Sequence, residues 1–302
     1  MRIWKVTSLE EHPPIPQGSI ICLGFFDGFH RGHQALVERA QTLKKPVVIL
    51  TFDRNPKWNR PECLLTPPTL RQQLFEQALL DGLMEIQFND AIRQSSPMQF
   101  IQFLQAIKPH AVISGSDFKF GFQAEGNVAL LKKEAPFKVI IFDDVLQGKE
   151  RISSSRIFQL LEEGKLIEVN QLLGRSYCVQ GQVGHGFKKG RTIGFPTANI
   201  MIADPYCLPK TGVYLTEVRL GTDRYVGMAN LGFHPTINAL KQKTLEVHLF
   251  DFDRSIYDQH VEVRFLDYLR EERKFQSIED LKQQLLKDAA HARKRYEALS
   301  HT

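Results

Sequence analysis

Ser19-Ile-Ile-Cys-Leu-Gly24, continued by Phe25-Phe26-Asp27-Gly28-Phe29-His30-Arg31-Gly32-His33, is the stretch whose reading decides the fold. The first six residues form an apolar run of strand length. The glycines and the polar residues that follow lead into a helical pattern over 32–43. The same alternation continues along the first half of the chain. A strand is predicted over 46–52 and a helix over 69–80, with Leu70, Leu74, Ala78 and Leu79 on one face. Strands over 84–88, 111–114 and 139–142 alternate with helices over 98–107 and 128–134. Short, continuously apolar strands alternating with helices predict a parallel sheet covered on both faces, a Rossmann-like α/β domain.

Ligands of such sheets lie beyond the carboxyl ends of the strands. A helix start at that place offers unpaired amide N–H groups and a partial positive charge, which suit phosphate. Gly28 and Gly32 let the backbone approach closely, and His30 and His33, three residues apart, can face one phosphate. Taken alone, a histidine at a helix start is more often a surface or capping residue.

Three serines, Ser153 to Ser155, open a helix that runs to Glu163 and stops at Gly164, and 167–173 is a second short helix closed by Gly174. After Arg175 the pattern changes. Candidate strands over 177–183, 213–220, 225–230, 245–250 and 261–266 carry Gly, Asp or Pro turns, and several alternate apolar with polar residues. That pattern predicts an antiparallel β-barrel or sandwich. Ser277, with Asp280 as a shortened capping-box partner, opens a terminal helix over 278–298. The expected domains are 1–174, α/β, and 175–302, β with a terminal helix.

Between the first two candidate strands of the second half runs Gly184-His-Gly186-Phe-Lys188-Lys189-Gly190-Arg191-Thr-Ile-Gly194-Phe195-Pro196-Thr197-Ala-Asn199. Its glycines and basic side chains can wrap phosphates. Thr197 and Asn199 are two apart, so on a strand they point the same way and offer hard oxygen donors suited to Mg²⁺. A flexible hairpin explains the spacing equally well. Likewise Glu246, in Leu245-Glu246-Val247-His248-Leu249, shares a strand face with His248, and spacing alone allows that face to be plain solvent.

Composition narrows the classes. The chain has 302 residues, 42% of them apolar and 24% charged, with 39 basic against 34 acidic side chains. Two ordinary domains fit that length. The mild positive charge, without a basic and aromatic stripe, weighs against nucleic acid. No stretch of about 18 apolar residues is present to span a membrane, and no secretory leader is read at the N-terminus. Cys22, Cys63, Cys178 and Cys207 form no Cys-x-x-Cys pair. Neither a zinc site nor a disulfide framework is expected, and a reducing cytoplasm is favoured.

The motifs carry a resemblance. His-x-Gly-His after Phe-Asp-Gly at the end of the first strand looks like the nucleotidyltransferase signature. The longer string Gly24-x-Phe26-Asp27-Gly28-x-His30-x-Gly32-His33 is similar to that of bacterial bifunctional riboflavin kinase/FAD synthetases. Thr51-Phe-Asp53-x-Asn55-Pro56, Gly115-x-Asp117-Phe118-x-Phe-Gly121 and Ile152-Ser153-Ser154-Ser155 resemble further segments of that family. Gly190-Arg191-x-x-Gly194-x-Pro196-Thr197-Ala-Asn199 resembles its kinase signature without departure. Pro209-Lys-Thr-Gly212-Val-Tyr214, 227–236, 245–252 and 269–275 extend the likeness, which spans about residues 18 to 295.

The resemblance implies ATP-dependent phosphorylation of riboflavin to FMN in the C-terminal half and adenylylation of FMN to FAD in the N-terminal half, with Mg²⁺. It implies Glu246 as general base and His30 and His33 as catalytic donors. Nucleotide would lie against Gly24, Phe26, Asp27, Gly28, Gly32, Ser153, Ser154, Ser155 and Arg156 in one site and Gly186, Gly190, Arg191, Thr197 and Asn199 in the other. Thr197 and Asn199 would hold the metal. Flavin would lie against Asp53, Asn55, Asp117, Phe118 and Gly121, and against Arg270 and Glu272 in a loop that closes over it. The partners implied are riboflavin, FMN and ATP, with no nucleic acid or membrane, for a cytoplasmic monomer or weak homo-oligomer.

Four positions depart from the family pattern: Arg54, Asn55, Phe122 and Phe158. Phe158 stands where the family has an arginine, and Arg156 faces another side of that helix. The departures leave a second reading, a riboflavin kinase whose N-terminal domain binds nucleotide but adenylylates weakly. Transfer to another acceptor, such as a phosphopantetheine, and a non-enzymatic flavin carrier are further alternatives.

Overall fold

Ile20–Leu23 (β2) is buried at every position and Val47–Phe52 (β3) at all but its last, as expected of strands covered on both faces. They are the centre of a six-stranded parallel sheet in the computed structural model, which describes residues 1–54, 63–185, 193–234 and 242–300. Arg2–Val6 (β1), Gly82–Ile86 (β4), Ala111–Gly115 (β5) and Lys138–Phe142 (β8) complete it, in the order β1-β4-β3-β2-β5-β8. Two hairpins, Lys119–Phe120 (β6) with Gly126–Asn127 (β7) and Leu146–Gln147 (β9) with Glu150–Arg151 (β10), lie outside the sheet. Helices Arg31–Gln41 (α1), Pro68–Gln77 (α2), Asp90–Gln94 (α3), Pro97–Ala106 (α4) and Val128–Glu134 (α5) connect the strands. One apolar cluster joins Val48, Leu50 and Met84 of the sheet to Phe100, Ile101 and Leu104 of α4.

The edge strand β1 was not predicted, because Arg2 and Lys5 mask its alternation. Val6 is fully buried, and Trp4 lies against Gly82, where a Cβ would come within 2.2 Å of the indole. The short helix α3 was also not predicted. Its cap is local: the Asn89 side chain accepts from the Ile92 amide at 2.9 Å.

The chain divides into two units, 1–154 and 155–302. The first unit ends at residue 154, and the sequence reading set its domain boundary at 174. Ser154–Glu163 (α6) and Leu166–Leu173 (α7) fall almost wholly in the second unit. α7 buries Leu166, Val169, Leu172 and Leu173. Its Asn170 donates to the Phe265 carbonyl at 2.9 Å and accepts from the Tyr177 amide at 2.7 Å, binding it to the strands that follow. The expected C-caps hold: Gly164 and Gly174 are left-handed, with φ of 77° and 70°.

The rest of the second unit is a closed antiparallel barrel of Tyr177–Gly184 (β11), Ala198–Met201 (β12), Gly212–Leu220 (β13), Asp223–His234 (β14), Gln242–Leu249 (β15) and His260–Arg270 (β16). Its order is β11-β12-β15-β14-β13-β16. Tyr177, Tyr214, Val218, Val263 and Phe265 are among its buried side chains, with the Tyr214 and Phe265 rings edge to face at 5.1 Å. The terminal helix Ile278–Ser300 (α8) packs Ala289, Ala292 and Tyr296 against Leu215, Met228 and Phe250. It starts as predicted, with the Ser277 hydroxyl accepting from the Asp280 amide at 3.0 Å.

Cys22 and Cys178 are free, and burial pushes both thiols up to about 12.

Phe265 is fully buried against two tyrosine rings. Phe265→Ala is therefore expected to cost the barrel about 3–5 kcal/mol, read as a fall in the urea midpoint of the transition that reports the second unit.

Candidate active sites

The sheet order places β3, β4 and β1 on one side of β2 and β5 and β8 on the other. The carboxyl ends of β2 and β5 therefore flank the point where the winding reverses, the position at which open α/β sheets bind ligands. A cavity of about 220 Å³ opens there. It is lined after β2 by Gly24 to Asp27, His30, Gly32 and His33, after β5 by Gly115, Asp117 and Phe118, and by Arg151, Ser153 and Ser154.

The loop between β2 and α1 is held in an unusual conformation. Phe26 and Phe29 have positive φ of 55° and 37°, and Gly28 has φ of 81°. Left-handed backbone at bulky residues persists only where the surroundings over-determine it. Here Phe26 is buried, its ring 6.1 Å from Phe75 and 5.0 Å from the His33 ring. The Gly28 amide donates to the Thr66 hydroxyl at 2.8 Å. Asp27 lines the cavity, yet its carboxylate turns inward. One oxygen accepts from the Thr66 amide at 2.9 Å and the other from Leu65 at 3.2 Å. Burial pushes its pKa up against those bonds and against the nearby Arg71. The expected nucleotide-binding residue Asp27 thus braces the loop with its side chain.

His30 is the N-cap of α1, its Nδ1 accepting from the His33 amide at 3.3 Å. An accepting Nδ1 leaves Nε2 to carry the ring proton. The two imidazoles stack, with centroids 3.7 Å apart and planes 15° apart. A Cβ on Gly32 would come within 3.2 Å of the His30 ring, so glycine is what lets that ring lie over the helix start. The Ser154 hydroxyl donates to the Asp27 carbonyl at 2.8 Å, which brings the serine segment to the same loop.

On the β5 side Asp117 is ion-paired to Arg151 at 2.9 Å, and Arg151 also meets Asp144 at 3.0 Å. The pairing with Asp117 holds the Arg151 pKa up. Phe118 stacks on Phe120 at 5.8 Å. The other expected flavin residues lie elsewhere. Gly121, with φ of 75°, packs on Pro97 and does not line the cavity. Asp53 accepts from the Phe88 amide at 2.8 Å, and Asn55 lies outside the described residues. Ser155 and Arg156 begin the second unit. Of the atypical residues, Arg54 is exposed beside Asp53, Phe122 is exposed, and Phe158 is half-buried on α6.

Sequence reasoning missed Arg71. Its guanidinium is 1% exposed, donates to the Phe25 carbonyl at 3.2 Å and the Phe52 carbonyl at 3.4 Å, and pairs with Glu85 at 3.4 Å. Burial lowers its pKa, while Glu85, Asp27 and Asp53 oppose that shift. An arginine inside an amphipathic helix pattern carries no sequence signal of burial.

In the second unit, the barrel register gathers the expected kinase residues. Gly184 pairs with Asn199, Asn199 with Glu246, Glu246 with Asn230, Asn230 with Val213, and Val213 with Arg270. Directly paired residues face the same way. One row around the barrel therefore connects the mouth of the glycine loop, Asn199, Glu246 and the segment after β16. The Thr197 hydroxyl lies 3.4 Å from the Glu246 carboxylate. His248, on the same strand face as Glu246, meets the Pro196 carbonyl through Nδ1 at 2.8 Å and so holds the approach to Thr197. Burial lowers the His248 pKa, consistent with a neutral ring donating that bond.

A cavity of about 390 Å³ adjoins this row, lined by Pro196, Thr197, Phe252, Arg254, Ile256 and Tyr257 among others. Asn199 and Glu246 stand outside it. Arg254 and Tyr257 carried no sequence signal, since only closure of the barrel brings 252–257 to 196–198. Gly186, Gly190 and Arg191, with Lys188 and Lys189, lie outside the described residues. Arg270 closes the row by its pairing with Val213. It is bound by Asp288 of α8 at 2.6–3.0 Å. Glu272 accepts from the Asn230 amide group at 2.9 Å.

Comparison with known proteins gives two family matches, FAD synthetase over residues 12–156 and riboflavin kinase over 173–296. Proteins named bifunctional riboflavin kinase/FMN adenylyltransferase are similar over nearly the whole chain. That of Listeria monocytogenes is 35% identical, covering 91% of each chain. That of Haemophilus influenzae is 38% identical, covering 92% of this chain and 94% of its own. A solved structure from Streptococcus pneumoniae, titled a macrolide-efflux protein, superposes with a TM-score of 0.90 at 30% identity, covering 97% of this chain and 99% of that one. Among the described residues of this chain no helix is long and apolar enough to cross a membrane.

Arg71→Met keeps the side-chain bulk and removes the charge beneath the loop between β2 and α1. Breaking a buried pair in this way costs about 3–5 kcal/mol, and the first unit should show that loss in denaturant unfolding while the barrel transition stays in place.

Proposed function

The chain belongs to the bifunctional riboflavin kinase/FMN adenylyltransferase family, and from that premise we propose how its own residues divide the two reactions. The enzyme phosphorylates riboflavin to FMN and adenylylates FMN to FAD, with ATP as co-substrate in both steps. The reading of a kinase fused to a merely binding N-terminal domain is disfavoured, because the FAD synthetase match covers that domain.

Phosphorylation belongs to the barrel. The ribityl 5′-hydroxyl attacks the γ-phosphorus of ATP, its proton passes to the Glu246 carboxylate, and ADP leaves. The observation that carries this reading is the meeting of Thr197 with Glu246 across two strands, with Asn199 as the paired residue of Glu246. ATP would lay its phosphates along Thr197 and its base toward Phe252 and Tyr257 in the adjoining cavity. Thr197 and Asn199 would hold Mg²⁺, which supplies charge neutralisation at the phosphates. The donor chemistry fits that ion, with hydroxyl, amide and carboxylate oxygens on one row.

Adenylylation belongs to the switch-point cavity of the first unit. A phosphate oxygen of FMN attacks the α-phosphorus of ATP and pyrophosphate leaves. No protein nucleophile is needed, only donors placed where charge develops. His30 supplies an Nε2–H donor beside His33 at the α1 start, and the Ser153–Ser154 segment adds donors opposite. Asp117 and Phe118 are placed on the flavin side, with Arg151 fixing the Asp117 carboxylate. We further place the protein in the cytoplasm, acting on small molecules without nucleic acid or membrane, as a monomer or weak homo-oligomer. Sedimentation of the pure protein tests the last point, and a stable large assembly would count against it.

Chromatography of flavins made from riboflavin, ATP and Mg²⁺ tests the division. Glu246→Gln is expected to slow FMN formation by about 10²–10⁴ and to leave FAD formation from supplied FMN intact. His30→Ala should lower FAD formation by about 10²–10³ and leave FMN formation intact. Parallel loss of both steps in either variant would remove that residue from its assigned site.

A further inference from the structure

Arg270 ends β16, and the resemblance in sequence assigned it to the flavin. In the fold its guanidinium is engaged by the terminal helix. Nε bonds both carboxylate oxygens of Asp288, at 2.9 and 3.0 Å, and Nη2 bonds one of them at 2.6 Å. Nη1 donates to the Glu271 carbonyl at 2.8 Å, bending the guanidinium back onto its own loop. Asp288, on α8, is only 4% exposed, and Gln284 one turn earlier adds a bond to it at 2.6 Å. A planar, forked, largely desolvated pair of this kind fixes geometry as much as energy.

What that geometry fixes is the segment from 270 to 273. Glu271 pairs with Lys210 at 2.7 Å, and Arg273 bonds Gln284 of α8. Between them Glu272 reaches over β14. Its carboxylate accepts from Asn230 at 2.9 Å and lies so close to Gly232 that a Cβ there would come within 2.2 Å of it. Asn230 is the paired neighbour of Glu246. Two side-chain contacts, Asp288 to Arg270 and Glu272 to Asn230, are joined by the backbone from 270 to 272, and one strand pairing leads on from Asn230 to Glu246. Asp288 touches neither end of the reaction.

Resting on the kinase reading above, we propose that Asp288 is a positioning residue for the riboflavin side of the phosphorylation site. Held by Asp288, Arg270 sets the segment that carries Glu272 to Asn230, and so shapes the rim that receives the flavin next to Glu246. Thr197, just before β12, and the cavity beside it with the 252–257 segment belong to other parts of the barrel, so ATP binding does not depend on this pair.

The test uses the full chain carrying Asp288→Asn, Asp288→Glu, Arg270→Lys, and Asp288→Asn with Arg270→Lys. Steady-state FMN formation is measured against riboflavin and against ATP separately, and FAD formation from supplied FMN serves as an internal control in the same molecule. Asp288→Asn is expected to raise the riboflavin KM by about tenfold, with the ATP KM and the FAD control within about twofold. Asp288→Glu should recover part of the loss. The double variant should be no worse than the worse single one, as expected of residues acting through one contact. A purely structural role would instead lower the amount of active enzyme, moving kcat and leaving both KM values alone. An unchanged riboflavin KM in Asp288→Asn and Arg270→Lys, or equal rises in both KM values, overturns the proposal. Should Asp288→Asn fail to fold, Arg270→Lys and Asp288→Glu carry the same KM comparison. If the unmodified chain makes no FMN, it is the kinase reading itself that fails.

Discussion

Strand register in the barrel is the constraint on which the second unit depends. Side chains alternate across a strand, so a slip of one residue turns every one of them to the opposite face. Glu246 faces Asn199 and Asn230 only because β15 pairs with β12 and β14 in this register. The residues that alternate with it, Leu245 and Val247, are 1% exposed. Slipping β15 by one place would put a carboxylate among apolar side chains and leucine or valine at the surface, at a cost of several kcal/mol. The core therefore enforces the position of the polar row. Closure of the barrel removes the remaining freedom, since no edge strand is left to slide.

The first unit solves a different problem. A loop that offers its backbone to phosphate cannot fold that backbone into a strand or helix, so its conformation has to be held from below. Buried charge does much of this. Asp27 takes the amides of Leu65 and Thr66, and Arg71 takes the carbonyls of Phe25 and Phe52 while pairing with Glu85. Neither charge faces solvent, and each is lodged against the other's field. Such an arrangement adds little net stability. Its value lies in fixing where the loop stands relative to the end of β3.

Neither site is built around a protein nucleophile. The two free cysteines are buried, and burial raises their thiols to about 12, which leaves them as packing groups. Both proposed reactions instead place an oxygen of the flavin substrate against a phosphorus of ATP. Chemistry of that kind depends on positioning and on donors aimed at developing charge. That demand accounts for the rigid loop in one unit and the registered row in the other.

The sequence by itself determined the class of each half. Period-two and continuous apolar runs mark strands whatever packs on them, so β2, β3, β5 and β13 were legible, and the Gly-x-Phe-Asp-Gly-x-His-x-Gly-His and Pro-Thr-Ala-Asn strings pointed to the two proposed phosphate sites. It also showed Glu246 and His248 on one face. What it could not determine is which long-range neighbours those faces meet. Arg71 carries no sign of burial within an amphipathic helix, and Arg270 reads as a flavin contact, until packing buries the first and Asp288 binds the second. The end of the first unit at 154, the edge strand β1, and the approach of 252–257 to Thr197 were likewise decided by tertiary contacts. Local patterns record what a residue prefers, while burial and partnership are properties of the folded chain, set by segments tens to hundreds of residues away.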